Sequence, residues 1–388
     1  MGMNRRVFLG GAVAASAVAV VGCATGAVGA PLWSGGSGSG SGAGAGDAGV
    51  DGDVQSFDTY LAQRTAAGEF SGAVLVARDG RPLLAKGYGL ADRGRGIPNA
   101  PRTRFCICSM GKMFTSVGIA QLAERGRLGF GDTIGKYVSG FPAAIADEVT
   151  VSELLTHTSG MGDVLARTDG SLPPTTLAGL MSEIEQQPLL FAPGTRYSYS
   201  NSGFIVLGAI IQSISGQAYD DYVHEHVFAP AGMADTAVRV YTPDDVPGMA
   251  HGYALVSGTG SSAAYQDNGA MVQIGNPSGG AYSTVFDMLA FAQALTGHRL
   301  LGAAMTDTVL TGRIPISRPG GPADDEYAYG FEDQVINGVR IVGHNGGSPG
   351  YEGQLDVYID RGYVVVILTN QDQTMVPAIQ ESEALFTA

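Results

Sequence analysis

The chain has 388 residues, of which 45% are hydrophobic and 15% charged, a composition typical of a globular protein with one large domain or two modest ones. Its formal net charge of -14 and its isoelectric point near 4.7 disfavour binding to nucleic-acid phosphates or to anionic lipid surfaces. We therefore expect a soluble main body and no nucleic-acid partner.

The N-terminal segment has the pattern of an export signal. Arg5–Arg6 precede an uncharged apolar run that ends just before Cys23. The twin arginine followed by Phe-Leu resembles a Tat signal, and the four residues ending at Cys23 resemble a lipobox. The run is too short to span a bilayer comfortably, which disfavours a transmembrane anchor. We expect cleavage of residues 1–22 as a signal peptide and lipidation of Cys23, with ordinary signal cleavage after Ala30 as the alternative.

Residues 23–52 are rich in Gly, Ser and Ala, and this composition predicts a flexible tether. A tether that follows a lipidated cysteine lets a folded domain stand off the membrane while it stays attached. We expect a periplasmic or cell-envelope lipoprotein, joined to the membrane by its lipid anchor only, whose catalytic domain covers residues 53–388.

Strand patterns lie near both ends of the folded part. The first two form a hairpin whose Asp79-Gly80 turn supplies the positive φ that a tight connection needs. Strands are predicted over residues 72–77, 82–88, 339–343, 353–359 and 363–369. Helical spacing predicts helices over residues 53–67, 110–125, 151–155, 175–187, 204–215, 218–228 and 376–386.

This order predicts an α+β fold, in which one antiparallel sheet is built from both chain ends and flanked by helices, with a mainly helical subdomain inserted. The α/β part is expected over about 53–105 and 275–388, and the helical part over about 106–274. A cleft between the two parts is the natural place for a site.

Cys106 and Cys108 are expected to project to opposite faces of a strand, so a disulfide between them would strain the backbone, and both are expected to be small buried thiols. A C-x-C metal pair lacks other cysteines to complete a soft site. His224 and His226 are expected to point apart on a helix, so they are not interpreted as metal ligands. We expect neither a metal nor another cofactor.

Ser109 and Lys112 form an S-x-x-K pattern at the start of a predicted helix. Spacing of three residues places the amine and the hydroxyl on one helix face, and the helix N-terminus favours developing negative charge. The chain has only three lysines. Because arginine stays protonated, a lysine here indicates a base. The alternative is a capping serine followed by a solvated lysine.

Two further segments carry candidate groups. Tyr199 has a phenol that can relay a proton, and Asn201 an amide that can hold a substrate carbonyl. His344 is expected at the end of a strand, followed by glycines that allow a ligand to approach the backbone. Each segment alone also fits a structural role, a hydroxyl-rich turn or a histidine at the rim of a cleft.

Together, Ser109, Tyr199 and His344 resemble, in order and spacing, the beta-lactamase-related serine hydrolases, which include class C beta-lactamases, D-Ala-D-Ala carboxypeptidases, D-aminopeptidases and family VIII esterases. Residues 154–161 (LLTHTSGM) and the Pro-Gly-Thr before Tyr199 are also similar to this family. The resemblance covers about residues 57–370.

The resemblance implies that Ser109 forms an acyl-enzyme while Lys112 and Tyr199 transfer protons. The backbone amides of Ser109 and Gly347 would form the oxyanion hole. Asn201, His344 and Gly346 would contact the substrate. His157, in the LLTHTSGM segment, is expected to pack and hydrogen-bond within a loop.

His344 stands where true lactamases carry the lysine of a K-T-G triplet, with Asn345 in place of the threonine. This departure favours an ester or a D-amino-acid peptide over a lactam, because a neutral imidazole attracts a carboxylate less than an ammonium does. The partner is therefore a small-molecule or peptide substrate. The alternative is a catalytically inactive envelope protein that binds peptidoglycan fragments or a protein partner, and the oligomeric state stays open.

Overall fold

The computed structural model describes residues 45–167, 171–258, 262–316 and 325–388, and it describes side chains from Gly52 onward. The predicted signal peptide, Cys23 and most of the predicted tether lie outside these ranges. In the part of the chain that the structure covers, no helix is both long enough and apolar enough to cross a membrane.

The described helices lie at both ends of the folded part and, in greater number, through its middle. They are α1 Ala45–Ala66, α2 Lys112–Glu124, α3 Ala143–Ala146, α4 Val151–Leu155, α5 Leu177–Ile184, α6 Asn201–Ser215, α7 Tyr219–Val223, α8 Ala229–Ala231, α9 Val285–Thr296, α10 Ala303–Leu310 and α11 Met375–Phe386. A 3-10 turn over Ser109–Gly111 leads into α2, and a π-helical turn over His224–Phe228 follows α7.

The longer strands lie near the two ends of the chain. The strands are β1 Gly72–Arg78, β2 Arg81–Tyr88, β3 Leu90–Asp92, β4 Ile97–Pro98, β5 Phe105–Cys108, β6 Val240–Tyr241, β7 Tyr253–Ser257, β8 Ala264–Asp267, β9 Gln273–Ile274, β10 Ala281–Ser283, β11 Ile314–Pro315, β12 Glu326–Tyr327, β13 Glu332–Ile336, β14 Val339–Ser348, β15 Tyr351–Tyr358 and β16 Tyr363–Thr369.

One eight-stranded antiparallel sheet organises the molecule, in the order β11-β12-β13-β14-β15-β16-β1-β2. The last strand of the chain pairs with the first, with Gly72 opposite Thr369 and Arg78 opposite Tyr363. The sheet is therefore built from both chain ends, and the predicted α+β fold is confirmed.

The sheet has an apolar core on each face because its strands alternate. In β1, Val74 and Val76 point toward a core that includes Phe57 of α1 and Phe386 of α11. Leu75 lies in the core on the opposite face, which extends through α2, α9 and the helical middle of the chain. Helices cover both faces, and the boundary between the sheet and the helical middle contains the candidate site.

Several elements differ from the sequence-based expectation in their length. Helix α1 begins at Ala45, within the segment predicted as a tether. Strand β14 continues to Ser348, so His344 lies inside a strand and not at its end. The hairpin turn is as predicted, because Asp79 and Gly80 both have positive φ, of 47° and 80°.

Candidate active site

The candidate nucleophile lies where strand β5 turns into helix α2. Cys108, the residue before Ser109, has a φ of 49°, an uncommon conformation for a residue with a side chain. Gly279 permits this turn, since a Cβ on Gly279 would lie 2.6 Å from the Cys108 carbonyl oxygen. The backbone therefore holds Ser109 at the first position of the 3-10 turn that opens the helix.

Lys112 lies beneath Ser109 and is completely buried. Its Nζ donates to the Asn201 side-chain oxygen at 2.7 Å and to the Ser278 carbonyl oxygen at 2.6 Å. The Ser109 Oγ is 3.2 Å from the same Nζ. A neutral amine has two N–H groups, which match the two closer acceptors, so its lone pair is left to face Ser109.

Burial lowers the pKa of Lys112 to about 7, although the Asp163 carboxylate acts in the opposite direction. An unperturbed lysine stays almost entirely protonated at neutral pH. At pH 7 and above, a substantial fraction of Lys112 is therefore neutral and able to accept the Ser109 proton.

Tyr199 approaches the nucleophile from the other side. Its hydroxyl donates to the Ser109 Oγ at 2.8 Å. Desolvation raises the pKa of Tyr199 well above its usual range, against the lowering effect of the bond to Ser109. The phenol is therefore protonated at neutral pH, which suits it to donate and relay a proton while Lys112 acts as the base.

Asn201 connects the base to a carboxylate. Its amide nitrogen donates to Asp163 Oδ2 at 2.8 Å, and its oxygen accepts from Lys112. Because a carboxylate can only accept, Asp163 fixes which end of the amide faces the lysine. The predicted contact between Asn201 and a substrate stays a prediction.

The glycines of strand β14 pack directly against the nucleophile's turn. A Cβ on Gly346 would lie 2.4 Å from the Ile107 oxygen and 2.8 Å from the Ser109 amide nitrogen. The next residue, Gly347, is exposed and pairs with Glu352 of β15. The geometry brings the Gly346–Gly347 backbone beside the Ser109 amide, as an oxyanion hole requires, while the hole itself stays a prediction.

His344 does not line the surface of the cleft. It is 1% exposed, its Nε2 is 2.9 Å from the Tyr327 hydroxyl, and its Nδ1 contacts the Asn345 carbonyl oxygen. Both ring nitrogens are engaged, so this geometry gives no support to a direct contact between His344 and a substrate carboxylate. The physical reason is that His344 lies within β14, paired with Leu355 of β15, and its ring packs against Tyr327.

His157 is buried and packed, as expected for a loop residue. Its Nδ1 accepts from the Ser200 backbone N–H at 3.1 Å, and its ring lies 4.3 Å from the Tyr199 ring, centroid to centroid. Burial, reinforced by Lys112, lowers the pKa of His157 well below its usual range. The imidazole is therefore neutral.

The two cysteines share one side of β5. Both are buried free thiols, and their Sγ atoms lie 3.7 Å apart. The expectation that they project to opposite faces is wrong, because residues two apart on a strand point to the same face. His226 hydrogen-bonds Gln217 at 3.2 Å. Within the described ranges, no cluster of three or more His, Cys, Asp or Glu side chains could hold a metal ion.

Sequence reasoning missed three residues of the site, namely Asp163, Ser278 and Tyr327. Ser278 directly precedes the Gly279-Gly280 pair, which is also similar to the family and is the sequence signal for this position. Asp163 follows the LLTHTSGM segment by two residues, which was a signal for it, whereas the fold alone brings Tyr327 next to His344.

Comparison with known proteins places this geometry in context. The family model described as "Beta-lactamase" matches residues 57–387. Penicillin-binding protein 4* of Bacillus subtilis is 29% identical over 323 residues, which cover 79% of this chain and 69% of that protein.

Two solved structures are also similar. A penicillin-binding protein from Bacillus halodurans has a TM-score of 0.74 at 30% identity, covering 84% of this chain and 99% of that one. A D-amino acid amidase from Ochrobactrum anthropi has a TM-score of 0.73 at 21% identity, covering 86% and 98%, and shows likeness of fold alone.

Proposed function

Because the chain belongs to the beta-lactamase family and is a serine hydrolase, we propose that it cleaves an ester or amide bond through an acyl-enzyme on Ser109. The observation that carries this proposal is the position of the Ser109 Oγ, 3.2 Å from the Lys112 Nζ and 2.8 Å from the Tyr199 hydroxyl. A hydroxyl between a base and a proton donor is the arrangement that nucleophilic catalysis needs.

The reaction begins when neutral Lys112 takes the Ser109 proton as Oγ attacks the substrate carbonyl carbon. The new C–O bond turns the carbonyl oxygen into an oxyanion, to which the amides of Ser109 and Gly347 donate. When the intermediate collapses, the bond to the leaving group breaks, and the proton taken by Lys112 reaches the leaving group through Tyr199. Water then attacks the acyl-enzyme by the same steps and restores Ser109.

The proposed substrate is a neutral ester or a D-amino-acid peptide in preference to a lactam. A lactam antibiotic presents a carboxylate that a fixed cation helps to hold, and position 344 is a histidine. The burial of the His344 ring supports this ranking, because both of its nitrogens are hydrogen-bonded inside the protein and neither faces a substrate in the cleft. His344→Lys would bury an ammonium beside Tyr327, so this substitution is a poor way to gain lactam binding.

We also propose that the enzyme is exported and anchored by lipid on Cys23. The support is the sequence of the N-terminal segment, with its twin arginine and lipobox-like residues. A hydrolase tethered in the cell envelope would meet envelope peptides and esters that reach the cleft from outside the cytoplasm.

A side-by-side turnover assay tests the proposed function. Wild type and Ser109→Ala are each assayed with a short-chain p-nitrophenyl ester, a D-amino-acid peptide and nitrocefin. We expect wild type to turn over the ester or the peptide faster than nitrocefin, and Ser109→Ala to turn over none of them. Turnover of none of the three, together with no labelling by a serine-directed probe, would support the inactive binding protein instead.

A further inference from the structure

We propose that Tyr327 is a positioning residue for this reaction, because its hydroxyl joins His157 to His344 and so holds together the two walls of the cleft that carry the reacting groups. The inference rests on the proposed function and adds to it a residue that no motif of the sequence contains.

The three side chains form a buried chain of hydrogen bonds. Each of Tyr327, His157 and His344 is 1% exposed. The Tyr327 hydroxyl is 3.1 Å from His157 Nε2 and 2.9 Å from His344 Nε2. A hydroxyl can accept from one ring and donate to the other, so a single atom satisfies both imidazoles away from water.

The outer ends of the chain fix where each proton lies. The Ser200 N–H donates to His157 Nδ1, so that nitrogen is an acceptor and His157 carries its proton on Nε2. His344 Nδ1 faces the Asn345 carbonyl oxygen, which can only accept, so His344 carries its proton on Nδ1. The Tyr327 hydroxyl can therefore accept from His157 Nε2–H and donate to His344 Nε2, while burial keeps the pKa of His157 well below its usual range.

Each end of this chain meets a different wall of the cleft. His157 holds the Ser200 amide, which lies between Tyr199 and Asn201, and its ring packs on the Tyr199 ring. This end sets the position of the proton relay over Ser109.

The other end holds strand β14. His344 bonds the carbonyl of Asn345, the residue before Gly346, and Gly346 packs against the Ser109 amide nitrogen. Hydrogen bonds thus connect the segment that carries Tyr199 to strand β14, whose Gly347 amide is proposed for the oxyanion hole. Small displacements of groups held at these distances reduce the rate of the chemical step strongly.

Tyr327→Phe tests the proposal because it removes the hydroxyl and keeps the ring. We expect kcat for a p-nitrophenyl ester to fall about tenfold or more while KM changes less than about twofold, since the hydroxyl touches no substrate. The matched control is Tyr329→Phe. It removes a hydroxyl that is 3.0 Å from the Ser152 hydroxyl and has no bond to Ser109, His157 or His344. Equal effects of the two variants on kcat would overturn the proposal.

A double substitution adds a readout that general destabilisation would not give. His344→Leu removes both ring nitrogens and so breaks the same chain of hydrogen bonds, and adding Tyr327→Phe to it should therefore cost less than about twofold more in kcat. Fully multiplicative losses would contradict a shared chain. Far-ultraviolet circular dichroism confirms that each variant is folded.

Imidazole nitrogen NMR of the full-length protein tests these hydrogen bonds without any assay of activity. We expect His157 to carry its proton on Nε2 and His344 to carry a proton on Nδ1, as their hydrogen-bond partners require. A proton on His157 Nδ1, or none on His344 Nδ1, would overturn the inference. If the tautomers are as expected while wild type hydrolyses none of the three substrates, the proposed function fails and the hydrogen-bonded chain stands.

Discussion

The Ser109 oxygen lies between two groups whose pKa values burial moves in opposite directions. Desolvation favours the neutral form of each group, so Lys112 is a weaker base than free lysine and Tyr199 is a weaker acid than free tyrosine. The result is a neutral amine that can take a proton and a neutral phenol that can give one. A single physical cause therefore assigns both roles.

The first prediction concerns the pH dependence of this base. Because Lys112 must be neutral and its pKa is about 7, kcat/KM for a neutral ester should rise about tenfold per pH unit below 7 and level off above it. Assays across pH 5 to 9 measure the profile. Lys112→Arg should lose activity at every pH, since guanidinium does not deprotonate. A wild-type profile that stays flat down to pH 5 would assign the base elsewhere.

The second prediction concerns Asp163, whose carboxylate raises the pKa of Lys112 against the stronger effect of burial. Asp163→Asn removes this charge, so the pKa of the lysine should fall and the acidic limb of the profile should move to lower pH. The same substitution removes the acceptor that orients Asn201, so kcat should also fall. Asp221→Asn, at an exposed position, is the control. A limb that moves to higher pH would contradict the assignment.

At the scale of elements, the close packing of strand β14 on the nucleophile's turn explains why glycine occupies position 346. The space for a side chain is taken up by the Ile107 oxygen and the Ser109 amide. The strand must therefore approach as bare backbone if its amides are to face a developing oxyanion.

Gly346→Ala tests this packing. The added Cβ must push β14 from the Ser109 turn, so we expect a loss of about 100-fold in kcat and of about 1–3 kcal/mol in the free energy of unfolding. Gly131→Ala is the control, because a Cβ there meets nothing within 4 Å. Steady-state kinetics and urea unfolding measure both effects. A Gly346→Ala enzyme with wild-type kcat would show that the strand does not position the oxyanion hole.

The elements that the sequence predicted well are those governed by local chemistry. The hairpin follows from the backbone preferences of Asp79-Gly80, and the contact of Ser109 with Lys112 follows from helical spacing. The length of β14 and the burial of His344 could not be predicted in this way, because they depend on pairing with β15 and on Tyr327 of β12, two strands away in the sheet. Side-chain contacts between different strands leave no short pattern in the sequence.

At the scale of the whole molecule, the pairing of β16 with β1 makes the sheet depend on both chain ends. The helical middle is inserted between them, and the site lies where the two parts meet. Ser109 and Lys112 come from the start of that insertion, Tyr199 and Asn201 from its centre, and Gly346 from the returning sheet. Turnover therefore requires that the complete fold be assembled.

The last prediction about the whole chain concerns its anchor, which lies outside the described residues. Cys23→Ser should move the protein from the membrane fraction to the soluble fraction, because the serine hydroxyl cannot take the thioether-linked lipid. Fractionation and immunoblotting measure the distribution. Wild-type protein found soluble with Pro31 at its N-terminus would indicate ordinary signal cleavage after Ala30.

The central claim is that Ser109 is the activated nucleophile, and the most direct test is intact-mass spectrometry after reaction with a fluorophosphonate probe, which forms an O–P bond to such a serine and releases fluoride. Wild type should gain one adduct, which peptide mapping places on Ser109, because only an activated serine reacts. Ser109→Ala should gain none while its circular dichroism spectrum stays unchanged. An adduct that persists in Ser109→Ala, or that maps to another residue in wild type, would contradict the account.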